Sequence, residues 1–146
     1  MTVVVGVDHS DGAKAALTFA YEEARLRGVR LRAVHAWQFG YIGSTGLEGF
    51  VPPLGGDLYE RRAAAEAALE DTLRQTLGEA DDVTIVRRTV EGTPAAVLIE
   101  ESRGADLLVV GSRGHGGFAQ LLLGSVSQQC AQHAECPVAI VRARAD

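Results

Sequence analysis

Short apolar runs alternate with amphipathic stretches along the chain, and that alternation leaves few folds open. The runs are 2–7, 29–37, 83–90, 107–110 and 137–141. Thr2-Val3-Val4-Val5-Gly6-Val7 is β-branched and apolar on both alternating faces, the pattern of a central parallel strand with helices on either side. Ser10 or Asp11 can cap a first helix whose stripe is Ala13, Ala16, Leu17, Ala20 and Ala24, with Gly28 as its stop. The longest helix is predicted over 58–77, with Leu58, Ala65, Leu69, Leu73 and Leu77 on its buried side. Thr93-Pro94 reads as N-cap and first position of a third helix, and a fourth opens at Gly124 or Ser125. The order β-α-β-loop-α-β-α-β-α-β predicts an open, doubly wound α/β sheet of five parallel strands with helices on both faces. A chain of 146 residues makes one domain, 1–146, with a core that needs neither disulfides nor metals. The aperiodic stretch 38–57 is long for a connection in such a domain, which predicts a lid, a binding loop or disorder.

The fourth apolar run carries the chemistry. Leu107-Leu108-Val109-Val110 stops at Gly111, and glycines follow at 114, 116 and 117 before Gly124-Ser125 open a helix. A buried strand leading through glycines to a helix start brings backbone N–H groups together without side chains in the way, and the helix adds partial positive charge. Glycines that merely make turns would leave the same pattern. The motif is not a Walker A loop: the chain lacks Gly-Lys-Ser/Thr, and its single lysine is Lys14.

Ligands in open parallel sheets sit beyond the carboxyl ends of the strands, where the winding reverses. Asp8 follows the first strand and Gly111 closes the fourth. If these strands are neighbours, Asp8 faces the glycine loop. A carboxylate there repels phosphate unless it reaches a ribose hydroxyl or holds a divalent cation, so the pair suits a nucleotide better than a bare phosphate.

The net charge of −5 argues against nucleic acid or an anionic membrane as partner. No apolar run approaches the ~20 residues of a membrane span. With two cysteines and no signal-like opening, a reducing cytosol is the expected compartment.

On particular residues, the chain resembles the universal stress protein family. These are V-D-x-S (Val7, Asp8, Ser10), V-H-A (Val34, His35, Ala36), G-T-P (Gly92, Thr93, Pro94) and the ADLLVVGSRG run from Ala105. The G-x2-G-x9-G-S pattern (Gly111, Gly114, Gly124, Ser125) and the closing C-P-V-A-I-V from Cys136 complete the match over 2–142. The full glycine pattern marks that family's ATP-binding branch. The resemblance implies strand order 3-2-1-4-5, which sets the first and fourth strands side by side. It also implies ATP with Mg²⁺ as cofactor. Asp8 would contact ribose or the metal, with Gly6 and Val7 beside it, and the Ala36 backbone would read the adenine edge. Val110 and Gly111 would line the ribose. Gly114, Gly124, Ser125 and Val126 would hold phosphates by backbone N–H and, at Ser125, by the hydroxyl. Arg113 would neutralise phosphate charge.

Plainer roles stand beside these. Asp8 can cap the first helix, Arg113 and His115 can be solvated loop residues, and His35 a satisfied, half-buried one. Cys130, His133 and Cys136 lack a fourth ligand for zinc, and the two cysteines read as core residues. The resulting expectation is a cytosolic ATP-binding sensor or regulator, since no cradle lysine or general base supports efficient phosphoryl transfer. The alternatives are a slow nucleotide hydrolase and a nucleotide-free interaction module. A homodimer through Val138–Val141 is also implied by the resemblance, and an uncharged, proline-free edge strand there would need a cover. Gly114→Ala adds a Cβ at the phosphate cradle and is expected to abolish ATP binding with the fold intact; unchanged affinity by calorimetry overturns that role.

Overall fold

The computed structural model describes residues 1–8, 10–38, 58–112 and 123–143. In chain order the elements are β1 (Thr2–Gly6), α1 (Asp11–Arg27), β2 (Arg30–Trp37), α2 (Leu58–Leu77) and β3 (Ile85–Glu91). They continue with α3 (Pro94–Glu101), β4 (Leu107–Gly111), α4 (Ser125–His133) and β5 (Val138–Val141). The five strands form one sheet in the order β3-β2-β1-β4-β5, all pairs parallel. Strands β1 and β4 are therefore neighbours, with Val3 opposite Leu107 and Val5 opposite Val109.

Strand β1 shows why both faces must be covered. Val3 and Val5 join a core with Ala16, Leu17, Ala20 and Ala24 of α1 and Leu69 and Leu73 of α2. Val4, between them, points to the opposite core with Val97 and Leu98 of α3 and Cys130 of α4. All three valines are fully buried. Leu17, Leu31, Leu69 and Leu108 are the largest side chains buried to the same degree. Each contributes about 1.5–3 kcal/mol of transfer free energy.

Local signals place the helix ends. Ser10 is the N-cap of α1, its hydroxyl accepting the Ala13 N–H at 3.0 Å. Gly28 closes α1 in the left-handed region at φ 68°, and its N–H bonds the carbonyls of Ala24 and Arg25. Thr93 is the N-cap of α3 as expected, but its side chain makes no capping bond; Pro94 fixes the first turn. Two expectations need correction. Leu58, expected in the buried stripe of α2, is 50% exposed, because the first turn of α2 lies outside the core that takes Ala65, Leu69 and Leu73. Val83, expected to begin the third strand, is buried ahead of it, and strand pairing starts at Ile85 opposite Leu31. The Tyr21 hydroxyl holds that approach by accepting the Asp82 N–H at 2.9 Å.

The two sheet edges differ. β3 carries Arg87 and Arg88, paired with Glu70 at 2.7 Å and with Glu101 through two bonds of 2.9 and 3.0 Å. The Arg88 bonds hold the Glu101 carboxyl below its usual range, against the opposing effect of burial. β5 carries only Val138, Ala139, Ile140 and Val141. Among the described residues no helix is long and apolar enough to cross a membrane. Of the stretch 38–57, expected as a lid, binding loop or disordered segment, residues 39–57 lie outside the described residues.

Gly111 sits where β4 meets the start of α1. A Cβ there would lie 2.8 Å from the Gly12 carbonyl carbon and 2.9 Å from its oxygen, so backbone would have to move. A Cβ on Gly6 would meet only the end of the Leu98 side chain, at 2.7 Å. Gly111→Ala is expected to destabilise by about 1–3 kcal/mol, and by more than Gly6→Ala; equal urea midpoints for the two variants would refute this ranking.

Candidate functional site

The starts of α1, α3 and α4 meet at the carboxyl ends of the strands, and their first turns are equipped differently. At α1 the Asp8 Oδ1 accepts the Ser10 N–H at 3.0 Å and the Ser10 hydroxyl at 2.6 Å, while the same hydroxyl oxygen caps Ala13. Asp11 adds a second carboxylate in the first turn of α1. The positive end of that helix already has acidic neighbours. At α3, Pro94 occupies the first position and offers no N–H.

The start of α4 is different in kind. Gly124 is its N-cap, no side chain among the described residues caps it, and no acidic residue lies in its first turn. The first intrahelical bond runs from Gln128 N–H to Gly124 O at 3.0 Å. By helix geometry the N–H groups of Ser125, Val126 and Ser127 precede that bond and have no intrahelical acceptor. The Gly124 N–H, by contrast, is engaged: it donates to Ser112 O at 2.6 Å. The Ser127 hydroxyl reaches the same Ser112 carbonyl at 2.9 Å and Gly124 O at 3.0 Å. Ser112 is in turn stitched to β5 by its N–H to Val141 O at 2.8 Å.

These ends border one cleft of about 580 Å³, its open mouth included. Of the residues named from sequence, Gly6, Val7, Asp8, Ala36, Val110, Gly111, Gly124 and Val126 line it. Ser125 is exposed and is not among the lining residues. Arg113 and Gly114 lie outside the described residues, as does His115. The carboxylate and the Gly111 and Gly124 ends of the glycine segment do border the same hollow, as adjacency of β1 and β4 requires.

Sequence reasoning did not place Ser10, Ala13, Val34, Pro94, Leu98 and Ser127 in the wall. Val34 and Pro94 sat inside motifs quoted for the resemblance and could have been named from them. Leu98 is one turn after Pro94 on the face that packs beneath Gly6, a contact no local pattern signals. Ser127 was visible only as a serine in the first turn of a helix without a side-chain cap.

The wall is divided by chemistry. Val34, Ala36, Pro94, Leu98 and Val110 make an apolar floor on the side of the α3–α4 core. The polar groups lie at the two helix starts: Asp8 with Ser10, and the first turn of α4. Among the described lining residues there is no lysine or arginine. A bound anion would meet backbone N–H groups and helix dipoles there. His35 extends the β2 end, its Nδ1 2.9 Å from Val7 O. Cys130 is fully buried and burial pushes its thiol up to about 11; burial raises Cys136 as well. Among the described residues no cluster of three or more His, Cys, Asp or Glu could hold a metal ion.

Comparison with known proteins gives a consistent picture. The sequence pattern of the Universal stress protein family matches residues 1–142. A universal stress protein of Mycolicibacterium smegmatis is 39% identical over 144 residues, 99% of this chain and 46% of that protein. The chain thus spans about half the length of that curated relative, and of a Mycobacterium tuberculosis universal stress protein that it covers to 44%. The universal stress protein UspA of Lactobacillus plantarum has the same fold, with TM-score 0.77 at 24% identity and 97% of each chain covered. A universal stress protein crystallised in complex with cAMP aligns with TM-score 0.66 at 28% identity, covering 99% of this chain and 98% of the other.

Proposed function

The chain belongs to the universal stress protein family, and from that premise we propose that its cleft binds an adenine nucleotide, ATP with Mg²⁺, as a cytosolic sensor or regulator in the stress response. The observation that carries the reading is the pairing, across one cleft, of an acid-furnished helix start at α1 with an uncapped one at α4. A nucleotide has matching parts. Its base and sugar suit the apolar floor of Val34, Ala36, Pro94, Leu98 and Val110. Its phosphates suit the open first turn of α4, where Val126 lines the wall. Asp8 suits a ribose hydroxyl or a cation carried by the phosphates. With no protein cluster able to hold a metal among the described residues, Mg²⁺ would take most of its ligands from phosphate and water. The relative solved with cAMP supports an adenine nucleotide as the class of ligand. Gly6, Val7, Gly111 and Gly124 form the backbone frame of the site, and Arg113, Gly114 and Ser125 complete the proposed binding set.

Regulation fits the chemistry better than turnover. The described wall offers no lysine clamp, and the Oδ1 of Asp8 is committed to Ser10. The uncharged β5 edge, opposite a β3 edge guarded by paired arginines, supports a homodimer formed through Val138–Val141.

Two measurements test this. Protein purified and freed of ligand should gain stability with ATP; at 100 times Kd the gain is about 2.7 kcal/mol, a rise in Tm of roughly 5–10 °C. No shift, together with no nucleotide released from fresh protein in mass spectrometry, rejects the reading. Ile140→Lys should give monomer or insoluble protein in sedimentation, and an intact dimer would exclude the β5 contact.

A further inference from the structure

We propose that Ser127 is a positioning residue, which anchors the first turn of α4 so that its N–H groups face the phosphate chain; this rests on the nucleotide reading above. Ser127 is 1% exposed and lies on the cleft wall. Its hydroxyl has one proton and two carbonyl acceptors, Ser112 O at 2.9 Å and Gly124 O at 3.0 Å. That proton is therefore spent inside the protein, and Ser127 acts on a ligand only through the helix it fixes.

The anchor resolves a conflict built into the site. A helix start is ordinarily fixed by a Ser, Thr, Asp or Asn at the N-cap, whose side-chain oxygen takes an N–H of the first turn. At α1 this is what Ser10 does. The same device at residue 124 would cover the donors that a phosphate needs. Here the N-cap is glycine and makes no such bond. The fastening is moved to the third helical residue and directed backwards, onto carbonyls. Ser112 O receives both Ser127 Oγ and Gly124 N–H, and Ser112 N–H is held by Val141 of β5. So α4 is tied to the sheet by acceptors, and among the described residues no side chain caps its donors.

The test compares ATP with adenosine, which lacks phosphates, by calorimetry on the full chain. Ser127→Ala leaves no buried donor unpaired and is expected to fold. It should weaken ATP roughly threefold to tenfold, the scale of one oriented hydrogen bond, and leave adenosine within about twofold. Ser127→Thr restores the hydroxyl and should restore ATP affinity. If the Ala variant does not fold, Ser127→Cys, with its weaker donor, takes its place in the comparison. Equal losses for both ligands, or undiminished ATP affinity, overturn the positioning role. Wild-type protein that binds neither ligand overturns the nucleotide reading itself. In that case amide exchange at Gly124 judges the anchor: faster exchange in Ser127→Ala upholds it, and an unchanged rate removes it.

Discussion

Strand β1 lies between β2 and β4, and the rest of the molecule is arranged around that placement. A parallel strand in the middle of a sheet has two faces to bury. β1 meets the requirement with Val3 and Val5 on one side and Val4 on the other. Covering both faces means that the chain winds one way through α1 and α2, then crosses over through α3 and α4. At the crossing the connections leave the strand ends in opposite directions, which opens a crevice between them. The cleft is that gap, and its position follows from the order of the strands before any ligand is considered.

What the cleft can do follows from how the helices around it are started. Each first turn leaves N–H groups without intrahelical partners, and each start here resolves this differently. Ser10, steadied by Asp8, caps α1; Pro94 removes a donor at α3; Gly124 leaves the donors of α4 uncapped. The electrostatic character of the cleft is thus graded from an acidic side to a donor-rich side within one hollow. A molecule with a cation or hydroxyls near one end of an anionic chain suits that gradient. The global charge of −5 does not enter, since these are effects of the first turn and fade beyond it.

Several residues serve packing and site at once. Gly111 reads in sequence as a glycine for a ligand, yet its missing Cβ is what lets the start of α1 approach the end of β4. Gly6 similarly gives room to Leu98 of α3. The functions coincide because ligand and helices approach the sheet at the same strand ends. Asp8 is not the cap of α1, a place that Ser10 takes; it orders that serine through Oδ1 while lining the cleft. His35, read as half-buried and satisfied, has its ring nitrogen on Val7 O.

Periodicity and punctuation in the sequence determined the layers. β-branched runs require strands, the Ala13–Ala24 stripe and the caps at Ser10 and Gly28 delimit a helix, and strict alternation makes the sheet parallel, because these are interactions among residues close in the chain. Leu58 and Val83 escaped that reading, since burial at an element's end depends on what lies across from it. The strand order came from family resemblance, not from spacing, and only the folded chain brings Ser112 and Ser127 together or places Leu98 beneath Gly6. Sequence carries what one element asks of its own residues. Which N–H is spent and which stays uncapped, as at Gly124 and the turn after it, is decided only when separate elements meet and compete for the same acceptors.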